Sequence, residues 1–250
     1  MPQRTRIALI FAVFLLAAFS SVLEASPIIY YGSSGSLAAS ASFDLSGSTL
    51  TIVLTNTSNS DVLVPSDVLT GLGFNTDFRL DPSSASLKAG AFVSYNNGVP
   101  VDPGIGWGYG YGVNAMGMNS AISASGAVNG LGHSNFFSGN GRALGGLDYG
   151  ILSLGDDVLT GNQGVTKKGP LFNNSLVFTL IAPEEFALDE IGSYVSFFYG
   201  TSLNDPTIKG FKQDAATPPV PEPNTFVLLG TGIGLLLVFA KRRSLIKKLQ

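Results

Sequence analysis

The chain has 250 residues and a formal net charge of −3, with 12% charged residues, one histidine and no cysteine. The absence of cysteine excludes disulfide bonds and thiol chemistry, and one histidine cannot by itself supply the ligands of a zinc site. Residues 26–217 contain seven Lys or Arg against 15 Asp or Glu, a net charge of −8, so no basic surface for nucleic acid is predicted.

The N-terminal segment has the pattern of a secretory signal peptide. Two arginines within the first six residues precede an apolar run over 7–19, and small residues follow as far as Ala25. The run is too short to span a bilayer, which favours a cleaved signal over an anchor. Residues 1–25 are therefore predicted to direct export through Sec-type machinery, with cleavage after Ala25 or, alternatively, after Ser20.

Alternating apolar and small polar residues indicate strands in the segment that follows. Residues 36–45 and 49–56 alternate in this way, and Ser46-Gly47-Ser48 between them predicts a tight hairpin turn. Further strands are predicted at residues 62–64, 73–80, 87–95, 176–181 and 193–199, with a short helical turn over 183–191. The predicted fold class over residues 26–216 is therefore all-β, a β-sandwich of jelly-roll or immunoglobulin-like type.

Glycine dominates the middle of the chain. Seventeen of the 31 glycines lie between residues 104 and 164. Because glycine loses more backbone freedom on ordering than any other residue, long regular structure is not expected there. Residues 103–164 are predicted to form a long irregular insertion with short strands or turns, among them a strand over 149–154.

An aromatic series opens this insertion. Trp107, Tyr109 and Tyr111 alternate with glycines, so that on an extended chain their rings lie on one side. Aromatic faces stack on the apolar faces of sugars, which makes the series a candidate carbohydrate contact. The alternative is that the rings pack over the edge of the sandwich.

Two adjacent acidic residues and the single histidine are of the types that bind metals or carry out acid–base chemistry. Asp156 and Asp157 stand beside glycine and are a weak candidate for calcium. The alternative is a turn in which they cap backbone amides. As glycosidase carboxylates they would need a distant partner, because adjacent strand residues point to opposite faces. His133 lacks the serine elbow and the orienting acid of a catalytic triad.

The last thirty residues form an ordered set of signals. Pro221-Glu222-Pro223 lies in a proline-rich linker over 217–224, and an uncharged apolar run over 225–240 follows it. As a helix the 16 residues of this run would span roughly 24 Å. This is short for a bilayer core, so the predicted transmembrane helix requires a thin bilayer, local thinning, or snorkelling of its flanks. The tail 241–250 carries the cations that predict a cytoplasmic C-terminus. These cations are Lys241, Arg242, Arg243, Lys247 and Lys248.

This order of tripeptide, short apolar helix and basic tail resembles the PEP-CTERM sorting signal of Gram-negative surface proteins. The resemblance covers residues 221–250. It implies recognition of Pro221-Glu222-Pro223 by an exosortase, a multi-pass membrane transpeptidase, after transient residence in the inner membrane. It also implies a final location at the cell surface or in the extracellular matrix, and an association with exopolysaccharide and biofilm.

The sequence therefore predicts an exported protein that is a substrate of a sorting enzyme and is not itself an enzyme. No cofactor, metal or nucleic acid is expected. Two alternatives stay open for the exported domain. One is a carbohydrate-binding matrix module that uses Trp107, Tyr109 and Tyr111. The other is a secreted hydrolase that uses acidic residues such as Asp156 and Asp157.

Overall fold

The computed structural model of the chain describes residues 26–95, 98, 100–124, 137, 146–167 and 169–213. The chain divides into two compact units, Met1–Gln213 and Asp214–Gln250, and all described residues belong to the first. The predicted signal peptide, His133, the proline-rich linker, the predicted transmembrane helix and the basic tail lie outside the described residues.

The described residues form 13 strands, a short α-helix and three single-turn 3₁₀ helices. The strands are β1 Ile28–Ser34, β2 Leu37–Ser46, β3 Thr49–Asn56, β4 Leu69–Phe74, β5 Asp81–Leu87, β6 Val93–Ser94, β7 Gly108–Ala115, β8 Met118–Ser123, β9 Ile151–Leu152, β10 Leu171–Asn173, β11 Ser175–Ile181, β12 Tyr194–Tyr199 and β13 Thr207–Lys212. Helix α1 is Gln163–Thr166, and the 3₁₀ helices are Pro65–Asp67, Pro103–Ile105 and Leu188–Glu190.

All 13 strands belong to one sheet, so the predicted all-β class is confirmed. The main path is β5-β11-β3-β2-β1-β13-β12-β4-β9-β10-β6, and β8 extends from β4 with β7 beside it. The sequence predicted a sandwich of two sheets. The structure instead has one continuous sheet, because β1 and β13 pair with each other and join what would be the two halves.

The sheet curls so that its two halves face each other. The ring centroids of Phe43 on β2 and Phe74 on β4 are 5.5 Å apart, although three strands separate β2 from β4 along the sheet. Tyr30 packs edge-on against Phe43 at 5.6 Å, and all three side chains are fully buried. Each such side chain contributes about 1.5–3 kcal/mol by leaving water, which stabilises the curl.

The predicted β2–β3 hairpin is confirmed. The two strands pair in continuous register from Ala39↔Asn56 to Ser46↔Thr49. Gly47 in the turn has a φ of +59°, which glycine adopts without steric cost. Ile52 and Leu54 are buried while Thr51 and Val53 between them are partly exposed, as alternation predicts.

The glycine-rich segment is more regular than predicted. β7 and β8 pair as a hairpin from Gly108↔Ser123 to Ala115↔Met118, and β8 continues the sheet beside β4. The two-residue turn has a positive φ at both Met116 and Gly117, the conformation that suits the twist of a tight hairpin. Tertiary pairing here outweighs the entropic cost of the glycines. The predicted strand near 149–154 exists only as β9.

Other predicted boundaries were wrong or incomplete. Residues 62–64 form a loop, and β5 contains Pro82 although proline has no amide proton to donate. β5 is an edge strand, where a missing amide proton costs no ladder hydrogen bond. Strands β1 and β13 were not predicted, and the helical turn expected over 183–191 is the single 3₁₀ turn Leu188–Glu190.

Candidate functional site

The aromatic series of the glycine-rich segment is mostly internal. Trp107 is fully buried and Tyr109 is 3% exposed, whereas Tyr111 is 43% exposed. The indole nitrogen of Trp107 donates a hydrogen bond of 2.7 Å to the carbonyl of Tyr149, and its ring lies 4.9 Å from that of Phe178. The prediction that Trp107, Tyr109 and Tyr111 together contact carbohydrate is therefore corrected: Trp107 and Tyr109 are buried and expose no ring surface to a ligand.

Glycine makes the burial of Trp107 possible. The ring of Tyr149 lies directly over Gly106, where a Cβ atom would come within 2.0 Å of the ring carbon Cγ. Phe137 covers another side of the same cluster, with its ring 5.2 Å from Phe178 and its amide hydrogen-bonded to the carbonyl of Trp107 at 3.3 Å. Gly106 therefore serves packing, and the rings of Trp107 and Tyr109 pack inside the fold instead of forming an exposed surface.

Asp157 and Asp61 hold two loops together. The amide of Asp157 donates to a carboxylate oxygen of Asp61 at 2.9 Å, and the hydroxyl of Thr160 donates to the other oxygen. The carboxylate of Asp157 accepts from the amide of Leu159 at 3.0 Å. Asp157 thus caps a turn, the second of the two interpretations that the sequence allowed.

Asp156 differs from its neighbour. Both of its carboxylate oxygens are buried and accept no hydrogen bond of ordinary geometry within the part of the chain that the structure describes. The pKa of Asp156 is raised to about 6, mainly by burial. The backbone amide of Val62 lowers it, and the nearby charges of Asp61 and Asp157 contribute to the rise. The hydrogen bond from Thr160 lowers the pKa of Asp61. The two acids are therefore shifted in opposite directions by their surroundings.

The hydroxyl of Tyr95 belongs to the same region. Tyr95 packs against the small core that includes Val62, Leu152 and Val165. Burial raises the pKa of Tyr95, and the charge of Asp156 adds to this. Asp61 and Tyr95 were not singled out by the sequence, because they lie far from Asp156 along the chain. The run of polar residues from Asn56 to Asp61 is the one feature of the sequence that could have drawn attention to Asp61.

The hydrogen bonds of this region have a structural role. Among the residues that the structure describes, no three His, Cys, Asp or Glu side chains are grouped closely enough to hold a metal ion. The carboxylate oxygens of Asp61 are already used by Asp157 and Thr160. The hydrogen bonds to Asp61 hold the loop 153–162 against the loop 57–64.

The C-terminal signals lie outside the described residues, and within those residues no helix has the length and apolar character needed to cross a membrane. Residues 219–244 match the family model described as the PEP-CTERM protein-sorting motif. The chain carries a PEP-CTERM sorting motif. No curated protein and no solved structure is significantly similar to the chain.

The PEP-CTERM motif confirms the resemblance on which the sequence-based prediction relied. It includes Pro221-Glu222-Pro223, the apolar run 225–240 and the cations from Lys241 to Arg243. A PEP-CTERM motif implies export, processing by an exosortase and targeting to the cell surface. Because the match begins at residue 219, in the linker that follows the sheet, it assigns no activity to the sheet.

Proposed function

We propose that this protein is an exported surface protein that an exosortase processes near Pro221-Glu222-Pro223, and that its domain over residues 26–216 performs no catalysis. The observation that carries the proposal is the PEP-CTERM motif over residues 219–244. The signal-like N-terminus, with two arginines before the apolar run 7–19, supports export.

The proposal includes a membrane-bound intermediate. After export, the run 225–240 resides in the inner membrane with the tail 241–250 in the cytoplasm, since positively charged flanks stay inside. Processing then transfers the domain to the cell surface or the extracellular matrix. There it associates with exopolysaccharide and biofilm, as the sorting family implies.

Mass spectrometry of the surface-located protein tests the processing step. In cells with an active exosortase, we expect an N-terminus at Ser26 and a C-terminus near residue 221. Replacement of all three residues Pro221, Glu222 and Pro223 by alanine should leave the chain ending at Gln250. Pro218→Ala, in the same linker but outside the matched motif, should be processed normally. A surface chain that still ends at Gln250 would contradict the proposal.

Reporter fusions test the orientation. Alkaline phosphatase, which is active only after export, should be active when fused after residue 216 and inactive when fused after Gln250. Activity at both positions would show that the tail is not cytoplasmic, and the membrane-bound intermediate would then be wrong even if processing occurred.

A further inference from the structure

Three aromatic side chains lie side by side on the outer face of the sheet. Tyr194 of β12 pairs in register with Phe211 of β13, and Phe211 pairs with Tyr31 of β1. Residues directly opposite each other on neighbouring strands share one face. Since strands are about 4.8 Å apart, the three positions extend over about 10 Å across the strands. These three residues are called the aromatic row.

The aromatic row faces away from the core. Phe211 is 60% exposed and Tyr31 is 44% exposed, whereas Tyr30, the neighbour of Tyr31, is 1% exposed. This alternation places Tyr30 in the core and Tyr31 on the opposite face. Large apolar side chains that are exposed together mark interaction surfaces more often than isolated ones do.

Hydroxyl groups continue the aromatic row. Tyr31 pairs with Ser40 on β2, and Ser40 pairs with Thr55 on β3. The Thr55 hydroxyl is hydrogen-bonded to the Ser175 hydroxyl of β11 at 2.8 Å. The same face carries further hydroxyls, on Ser42, Thr51 and Thr179, which are partly exposed. One line across the sheet thus presents three rings and then a set of hydroxyls.

The ring at one end of the row is held in place. The ammonium of Lys209 lies 4.9 Å from the centroid of the Tyr194 ring, a cation–π contact. Tyr194 also packs against the small cluster that contains Phe198 and Met118. A rigid aromatic surface loses little conformational entropy when a ligand binds.

The chemistry of this surface selects one kind of partner. The aromatic row, Ser40 and Thr55 carry no charge, while residues 26–217 have a net charge of −8, which disfavours a polyanion. Aromatic faces stack on the C–H faces of sugar rings, and hydroxyls exchange hydrogen bonds with sugar hydroxyls. Serine is depleted in the cores of protein interfaces, which disfavours a second copy as the occupant. We propose that the aromatic row, with Ser40 and Thr55, binds a neutral glycan that lies across β12, β13 and β1.

This inference goes beyond sorting. It gives a site to the polysaccharide association proposed above and rests on that part of the proposed function only. Binding requires residues of the sheet, whereas processing requires residues 219–244. Failure to bind glycan would therefore leave the mass of the processed C-terminus unchanged, and failure of processing would leave the sheet able to bind.

Isothermal titration of the full-length protein in detergent tests the inference. The probes are three neutral hexasaccharides, cellohexaose, maltohexaose and mannohexaose, and a hexamer of galacturonic acid as their anionic counterpart. We expect at least one neutral probe to bind with a dissociation constant below about 1 mM. The double variant Tyr31→Ala/Phe211→Ala should raise this dissociation constant at least tenfold. Tyr31→Phe, which keeps the ring, should retain it.

Phe92→Ala is the matched control, because Phe92 is 53% exposed and lies outside the aromatic row. It should bind the neutral probe as the unchanged protein does. The inference is overturned if no neutral hexasaccharide binds, if the double variant binds undiminished, or if the anionic hexamer is preferred. Sedimentation of the same samples gives a further refutation: a dimer that the double variant dissociates would assign the surface to self-association.

Discussion

Substitution of Gly106 by alanine probes the contact that buries Trp107. The added Cβ would lie 2.0 Å from Cγ of Tyr149 and 2.2 Å from Cδ2, whereas carbon atoms in contact are about 3.5–4.0 Å apart. The ring would have to move by about 1.5 Å. Its hydroxyl donates to the carbonyl of Pro100 at 3.0 Å, and its ring lies 6.1 Å from that of Phe172, so little free movement remains.

The expected loss of stability for Gly106→Ala is about 3 kcal/mol, from overpacking of a buried site and a weakened Tyr149 hydrogen bond. Urea unfolding of residues 26–213 measures it, with the emission of Trp107, the sole tryptophan, as the signal. Gly192→Ala is the control. Its added Cβ would meet Asn75 Cβ at 3.4 Å, an ordinary contact, so a change within about 1 kcal/mol is expected.

A double-mutant cycle sharpens the result. With Tyr149→Ala already present, Gly106→Ala should cost at least about 1 kcal/mol less than it does alone, because the clashing ring is absent. If Gly106→Ala is no more destabilising than Gly192→Ala, or if the cycle gives no coupling, then Tyr149 does not lie over Gly106 and the account of the buried indole is wrong.

Three further substitutions have defined outcomes. With a pKa of about 6 when folded against an ordinary 3.8, Asp156 keeps its proton between about pH 4 and 6 only in the folded state. The free energy of unfolding should therefore fall by about 1–2 kcal/mol as the pH rises through this window, after allowance for partial exposure. Asp156→Asn should remove this fall. Asp61→Ala deletes the acceptor of two loop hydrogen bonds and should speed amide hydrogen exchange across 153–162. Phe137→Ala empties a buried position beside Phe178 and should cost about 3 kcal/mol in urea unfolding.

Each of these outcomes has a contradicting result. A pH profile of stability that is unchanged in Asp156→Asn would show that its carboxyl is solvated when folded. Unaltered exchange in Asp61→Ala would show that the loop is held by other contacts. A loss below about 1 kcal/mol in Phe137→Ala would mean that this side chain is not part of the core.

Local patterns were sufficient for the centre of the sheet. The β2–β3 hairpin followed from strict alternation and from Gly47 in its turn, and β11 and β12 were predicted from short segments rich in apolar residues. These features are decided by residues close together in sequence. The same local reasoning placed the sorting motif, because its parts occur in one order over a short segment.

Features that depend on long-range pairing were not predictable. β7 pairs with β8 despite its glycines, and β1 pairs with β13 across almost the whole described domain. The aromatic row was missed for this reason: Tyr31 and Phe211 become neighbours only when β1 meets β13. Conversely, the sequence could not decide whether Trp107 and Tyr109 are exposed, because their glycine neighbours are typical of loops. In the fold, Gly106 admits the ring of Tyr149 at close range.

The position of β13 has a mechanical consequence. It is the last described strand, and the amide of Gln213 at its end still donates to the carbonyl of Ile29 at 2.9 Å. β13 lies between β1 and β12, so tension applied to the chain beyond Gln213 loads hydrogen bonds along both of its edges. An edge strand such as β5 would instead peel away along one ladder. A domain pulled by its C-terminal connection thus resists force through the interior of its sheet.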